Sequence, residues 1–291
     1  MNGIINVLKP TGMTSHDVVS RIRRIISQKK VGHAGTLDPN AAGVLLICAG
    51  KGTKLSDYLM AFDKEYVFHV KLGLLTDTFD IYGKTIHVDD NLKEIPVEEI
   101  RSVLDGFRGE SYQTPPMYSA LKVNGKKLYE YARSDIEIER KKRRIYIDRI
   151  ELLDYSFPYI KVKAKVSKGT YIRTLCYDIG ERLGTCGTME NLVRTFAKTQ
   201  AIEDSYTLEE IENMYKLGNT SFLKKYDEVL KLDSIMFDDN DIDKLKNGIK
   251  VKSNEADGLK DMFYIRDVHG DILGIGEKSE KNLIKIKKRL I

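Results

Sequence analysis

The chain has no tryptophan, six prolines, three cysteines and five histidines in 291 residues. Cys48, Cys176 and Cys186 stand far apart, with no C-x-x-C spacing. A sparse, odd set of this kind reads as reduced, buried thiols of a cytoplasmic protein. The histidines, at 16, 33, 69, 87 and 269, are scattered, so no metal site is expected. No apolar run approaches the roughly 20 residues that span a bilayer. The first residues, Met1 to Asn6, lack the basic and apolar regions of a signal peptide. These features exclude a membrane partner. No G-x-G-x-x-G lies between a strand and a helix, which argues against hydride chemistry. Gly50-Lys51-Gly52-Thr53 also fails as a phosphate loop: Leu45 and Gly52 occupy positions that a Walker sequence gives to Gly and to Ser or Thr. No cofactor is expected.

Charge is present but unevenly spread. The formal net charge is only +5. Residues 116–173 hold fifteen Lys or Arg against seven Asp or Glu, and residues 203–246 hold six against twelve. The middle of the chain therefore carries a cationic face, the footprint of a phosphate-backbone partner.

Residues 32–43 organise the rest. Gly32, Gly35, Gly43, Pro39 and Asn40 mark a loop with special backbone angles rather than a helix or strand interior. It holds one imidazole, His33, and one acid, Asp38. The apolar run Val44 to Ala49 should be a buried strand anchoring it. An Asp ordinarily ionises near pH 3.9, so at neutral pH it can act as nucleophile, base or stabiliser of a sugar cation. Leu37-Asp38-Pro39 can equally be a turn with no chemical task. No second acid stands out in a motif, as a two-carboxylate glycosidase would require.

The remaining elements follow from periodicity. Gly3 to Leu8 is a strand, and a helix capped at Thr14 or Ser15 carries Val18, Val19 and Ile22 inward. Arg21, Arg23 and Arg24 fall on its solvated faces. Leu55, Tyr58, Leu59 and Phe62 mark a short helix. Residues 65–73 alternate as a strand with Tyr66, Phe68 and Val70 on one face. A helix runs from Pro96 to Phe107. Pro115 and Pro116 make residues 113–122 a stiff extended segment that holds Tyr118 in place. Lys126 to Arg133 reads as a basic helix. Strands follow at 145–153 and 159–166, with Lys161, Lys163 and Lys165 outward, either protecting an edge or touching RNA. Gly169 opens a helix at 171–182 that places Tyr171 and Arg173 beside a positive helix end. Residues 191–196 form a strand and 207–216 an acidic helix. An Asp-rich boundary lies at 226–243, a hairpin pairs 262–265 with 272–276, and a basic tail holds Lys278, Lys281, Lys285, Lys287, Lys288 and Arg289. One acid, turn tyrosines (Tyr66, Tyr118, Tyr171), one helix-start arginine and a basic face suit nucleotide chemistry on folded RNA, where aromatic planes stack on bases and cations hold the backbone.

Five ordered blocks then converge. G-H-A-G-T-L-D-P with A-A-G-V-L, K-E-Y-V-F, P-P-M-Y-S-A-L-K, K-G-T-Y-I-R-T-L and N-L-V-R-T together resemble the TruB family of tRNA pseudouridine synthases. The resemblance implies an α+β fold: a mixed, mainly antiparallel sheet with flanking helices in residues 1–232. It also implies a small β-rich PUA-like RNA-binding domain in 233–291. The implied reaction is isomerisation of uridine 55 in the T arm of tRNA, without cofactor or metal; nothing in the sequence requires more than a monomer or an obligate protein partner. By the same resemblance, Asp38 is the catalytic aspartate, and His33 holds the T loop after the base leaves its stack. Tyr66 stacks on the flipped uracil, Tyr171 and Arg173 complete the active site, and Leu192 forms an apolar wall. Attack of Asp38 on C1′, its attack on C6, and removal of a ribose proton all satisfy the chemistry. A tRNA-binding folding chaperone with incidental chemistry is the competing reading.

Overall fold

The strand Ala42–Ala49 is apolar along its length because both of its faces are buried. It lies near one side of a ten-stranded sheet in a computed structural model that describes residues 1–134, 136–279 and 282–291. The main path through this sheet runs Leu223–Lys224, Gly3–Lys9, Ala42–Ala49, Gly187–Ala197, Lys64–Leu72, Tyr159–Val166, Arg143–Ser156, Gly109–Gln113. Neighbours are antiparallel except Ala42–Ala49 and Gly187–Ala197, which meet in parallel at Val193 opposite Ala42 and Arg194 opposite Gly43. The sheet is thus mixed and mainly antiparallel, within an α+β fold.

Helices cover it for simple reasons. Thr14 accepts a hydrogen bond from the Asp17 backbone N–H, starting the helix Ser15–Ile25 with a capping box. Val18, Val19 and Ile22 then pack on Ile5, Leu45 and Ile47, joined by Leu208 and Ile211 of the helix Leu208–Lys216. On the other half of the sheet, Ile100 and Leu104 of the helix Val97–Asp105 and Leu175 and Ile179 of the helix Ile172–Arg182 cover Phe68, Val70 and Val162. Burial alternates strictly along Lys64–Leu72, the reason its sequence reads as a half-covered strand.

Residues 234–289 form a second, five-stranded sheet ordered Ser234–Met236, Met262–Arg266, Ile272–Lys278, Leu283–Arg289, Val251–Lys252. The expected hairpin is its centre. Tyr264, Ile275 and Leu290 pack with Val44, Leu46 and Leu59, so this small sheet covers the remaining face of Ala42–Ala49.

Several expectations need correction. Gly32 and His33 are not loop: they belong to the short strand Val31–His33, which pairs with Ala42–Ala49. The strand Tyr159–Val166 has neighbours on both sides, so its lysines protect no edge. Lys163 pairs with Glu65 and Lys165 with Asp148. Arg21 is not simply solvated: it pairs with Glu212, and Arg23 donates to the Val31 carbonyl. The basic helix shrinks to Leu128–Ala132, because Lys126–Lys127 pairs with Lys122–Val123 in a small hairpin. The basic tail is mostly strand Leu283–Arg289; Lys281 lies outside the described residues. No described helix is long and apolar enough to cross a membrane.

Gly43 marks where the two parallel strands touch. Its φ is +106°, and a Cβ there would lie 2.2 Å from the Arg194 carbonyl oxygen. Gly43→Ala combines left-handed strain with a backbone clash. We expect a loss of about 3 kcal/mol or more in urea unfolding. A change under about 1 kcal/mol would mean the strands can separate at little cost.

Candidate active site

Asp38 sits on the segment between Val31–His33 and Ala42–Ala49, and nearly every carbonyl around it is bonded. Ser15 Oγ donates to the Leu37 carbonyl and accepts from the Leu37 N–H at 2.9 Å. The Ala41 N–H donates to the Asp38 carbonyl at 3.1 Å. Lys9 Nζ donates to Pro10, Pro39 and Ala41 carbonyls at 2.8, 3.0 and 2.7 Å. Arg194 donates to Gly35, Thr36 and Val44 carbonyls. Burial brings the Lys9 ammonium down to about 8, with nearby Asp38 opposing that shift. A backbone tied at so many points presents its side chain in one place.

Arg173 meets that carboxylate. It lies in the first turn of the helix Ile172–Arg182. Its Nε is 3.0 Å from Asp38 Oδ2 and its Nη2 is 3.4 Å from Oδ1. Nη2 also donates to the Tyr118 carbonyl at 2.8 Å, and Nη1 to the Thr78 carbonyl at 3.3 Å. The arginine side chain is 8% exposed and that of Asp38 is 38% exposed. The cation is thus sealed while the carboxylate keeps an open side, the arrangement a reacting group needs.

A second acid is present after all. Asp80 Oδ2 lies 3.7 Å from Arg173 Nη1. Burial raises its carboxyl pKa, while the Thr78 hydroxyl and Arg173 work against that rise. Thr78 Oγ1 donates to Asp80 Oδ1 at 2.9 Å and the Tyr82 N–H donates to the same oxygen at 3.1 Å. Between them Phe79 has φ +61°, and its ring stacks on Tyr177 with centroids 4.7 Å apart. That strained residue turns both the Thr78 carbonyl and Asp80 toward Arg173. The sequence reading missed this acid because Asp80 lies 93 positions from Arg173 in a polar connection. Thr76-Asp77-Thr78-Phe79-Asp80 carries no local signal of its partner.

The other candidates divide into two groups. Tyr66 and Leu192 are buried in the same hydrophobic cluster as Leu37 and Ala41, chain neighbours of Asp38. Tyr171 caps the arginine's helix, and the Gln113 amide holds it at both ends: Tyr171 N–H donates to Oε1 at 2.8 Å and Nε2 donates to the Tyr171 carbonyl at 3.0 Å. Burial raises the Tyr171 phenol, and Ser119, Arg143 and Arg173 beside it pull it down. His33 stands apart, on the other limb of the segment. Burial first, then Arg194 and His16, lower its pKa, against a smaller opposing effect of the Gly35 backbone. Among the described residues no group of three or more His, Cys, Asp or Glu could hold a metal ion. Lys9 and Arg194 were also missed, although Arg194 stands inside the N-L-V-R-T block.

Residues 23–172 match the TruB family pseudouridylate synthase (N terminal domain), and residues 173–236 match the tRNA pseudouridylate synthase B C-terminal domain. The tRNA pseudouridine synthase B of Clostridium tetani is 45% identical, with 100% of each chain covered. That of Caldanaerobacter subterraneus subsp. tengcongensis is 43% identical over 95% of each. The fold is shared with a solved chain of a Cbf5-Nop10-Gar1 complex, at a TM-score of 0.75 and 24% identity, covering 99% of this chain and 85% of that one. With a family model matching more than half of the chain and relatives of this identity along its whole length, the chain belongs to the TruB family of tRNA pseudouridine synthases.

Proposed function

We propose that the chain converts uridine 55, in the T arm of tRNA, to pseudouridine, with Asp38 as the catalytic group. The observation that carries this reading is the Asp38–Arg173 pair, a half-open carboxylate against a sealed guanidinium. Two guanidinium nitrogens meeting its two oxygens aim the acid. The reaction breaks C1′–N1 and forms C1′–C5; C5 gives up its proton and N1 gains one. Every route open to Asp38 needs an ionised carboxylate and a uracil that stays bound while it turns. Removing the base from its stack costs a few kcal/mol, and stacking on Tyr66 offsets a similar amount. Buried Leu192 and Tyr66 keep water from the sugar, where hydrolysis would compete. His33, whose burial lowers its pKa, supports the T loop that the base has left. The catalytic unit is residues 1–232 and the RNA-binding unit 233–291, a division supported by the start of the second sheet at Ser234. One chain suffices, without cofactor.

The experiment is pseudouridine mapping in a tRNA transcript. We expect modification at position 55 alone and release of tritium from 5-tritiated uridine. Free uracil with an abasic tRNA would indicate a glycosylase, and bound but unmodified tRNA a folding chaperone. Phosphate contacts give a further expectation. Arg144 is paired with Glu110, whereas Arg143 has no ion-pair partner among the described residues and flanks Tyr171. Each Lys or Arg that neutralises a phosphate steepens the salt slope of binding by about one unit. The pairing narrows this: Arg143→Ala alone should flatten it by about 1, and Arg144→Ala should change it little. Equal slopes for Arg143→Ala and wild type would return this run to a solvated face.

A further inference from the structure

We infer that Arg194 is a positioning residue for Asp38, acting through the backbone that carries it; the inference rests on the reading of Asp38 given above and deepens it. Arg194 is 1% exposed, one of the largest fully buried side chains in the molecule. Burying a guanidinium is costly and is usually offset by a carboxylate. Arg194 has no ion-pair partner among the described residues. Its hydrogen bonds go instead to three carbonyls of one segment. Nε donates to Val44 at 2.6 Å, Nη1 to Thr36 at 3.4 Å and Nη2 to Gly35 at 3.3 Å. The fork therefore ties the entry of the Asp38 segment to its exit.

The position of Arg194 in the sheet makes this possible. Its strand lies between Ala42–Ala49 and Lys64–Leu72, with Arg194 opposite Gly43 on one side and Tyr66 on the other. The missing side chain at Gly43 lets the two backbones come close enough for the guanidinium to reach both limbs. One residue thus spans the segment bearing the acid and faces the strand bearing the stacking tyrosine. Arg173 fixes the Asp38 carboxylate directly, and Arg194 fixes where its backbone stands. A lysine has the charge but not the planar fork, so it cannot hold three carbonyls placed on two limbs in the same way.

The test uses the full chain with Arg194→Lys, Arg173→Lys and the double variant. Single-turnover conversion of a tRNA transcript, filter binding of the same tRNA and thermal unfolding are measured together. Misplacement of a reacting group by a fraction of an ångström to an ångström costs rate more than affinity. We expect Arg194→Lys to lower the conversion rate by about ten- to a hundredfold while tRNA affinity stays within about twofold. Because both arginines act through Asp38, the double variant should lose less than the product of the two single losses. A wild-type rate in Arg194→Lys overturns the proposal. So does a multiplicative double variant whose binding falls with its rate, and so does failure of Arg194→Lys to fold, which would make the residue a folding requirement instead. If Asp38→Asn remains active, the reading of the site fails first; if Asp38→Asn is inactive and Arg194→Lys unimpaired, only this inference fails.

Discussion

Asp38→Asn should abolish pseudouridine formation, by a factor on the order of 10⁴ or more, with tRNA binding nearly kept. The amide has the size and shape of the carboxylate but neither its charge nor its basicity. It can act as neither nucleophile nor base at the ribose or the ring. In the proposed reading, binding rests on other groups, the cationic face and Tyr66 among them, which the substitution leaves alone. The fold should survive too. Arg173 would lose one partner but keep the Tyr118 and Thr78 carbonyls and Asp80. The segment itself is held through its backbone, independently of the side chain. Tritium release from 5-tritiated uridine is the measurement. Release at the wild-type rate would remove Asp38 from the mechanism.

Arg173→Lys should lower the single-turnover rate by about 10²–10³-fold, again with little change in affinity. Charge is conserved in this substitution, so a simple counter-ion role predicts a small effect. The geometry predicts a large one. The guanidinium meets Asp38 through two nitrogens and bonds two carbonyls on separate segments, with Asp80 3.7 Å away. An ammonium is a point with three donors and cannot reach that set from one position. Whichever contact it keeps, Asp38 loses its second tie. A rate within about threefold of wild type would show that charge alone matters here.

These two residues also show how sequence and structure divide the explanation. Asp38 and Arg173 each lie in a block whose local chemistry is legible: glycines and a proline around the acid, a glycine turn and helix start before the arginine. The alternating strand with Tyr66 was legible for the same reason, since a period of two is a property of neighbouring residues. The buried run at 44–49 and the cap at Thr14 were equally local. Asp80 was not legible. Its partner is 93 positions away, and only the strained turn at Phe79 brings them together. Lys161, Lys163 and Lys165 repeat the point. Alternation showed that they face outward, but edge or interior depends on strand order, and the strand proved to have a neighbour on each side. The bonds of Lys9 and Arg194 likewise run to carbonyls, which every residue has, so no sequence pattern marks them.

By itself, the sequence determined most of the local elements, the basic middle of the chain, the five ordered blocks and, through them, the family. The tertiary structure alone decided which charges meet: Arg173 between Asp38 and Asp80, Arg144 with Glu110, and two buried cations on the backbone of the Asp38 segment. The physical reason is range. Periodicity, caps and turns are set within a few residues, whereas the position of a charge relative to its partner is set by how strands order and pack across the whole sheet.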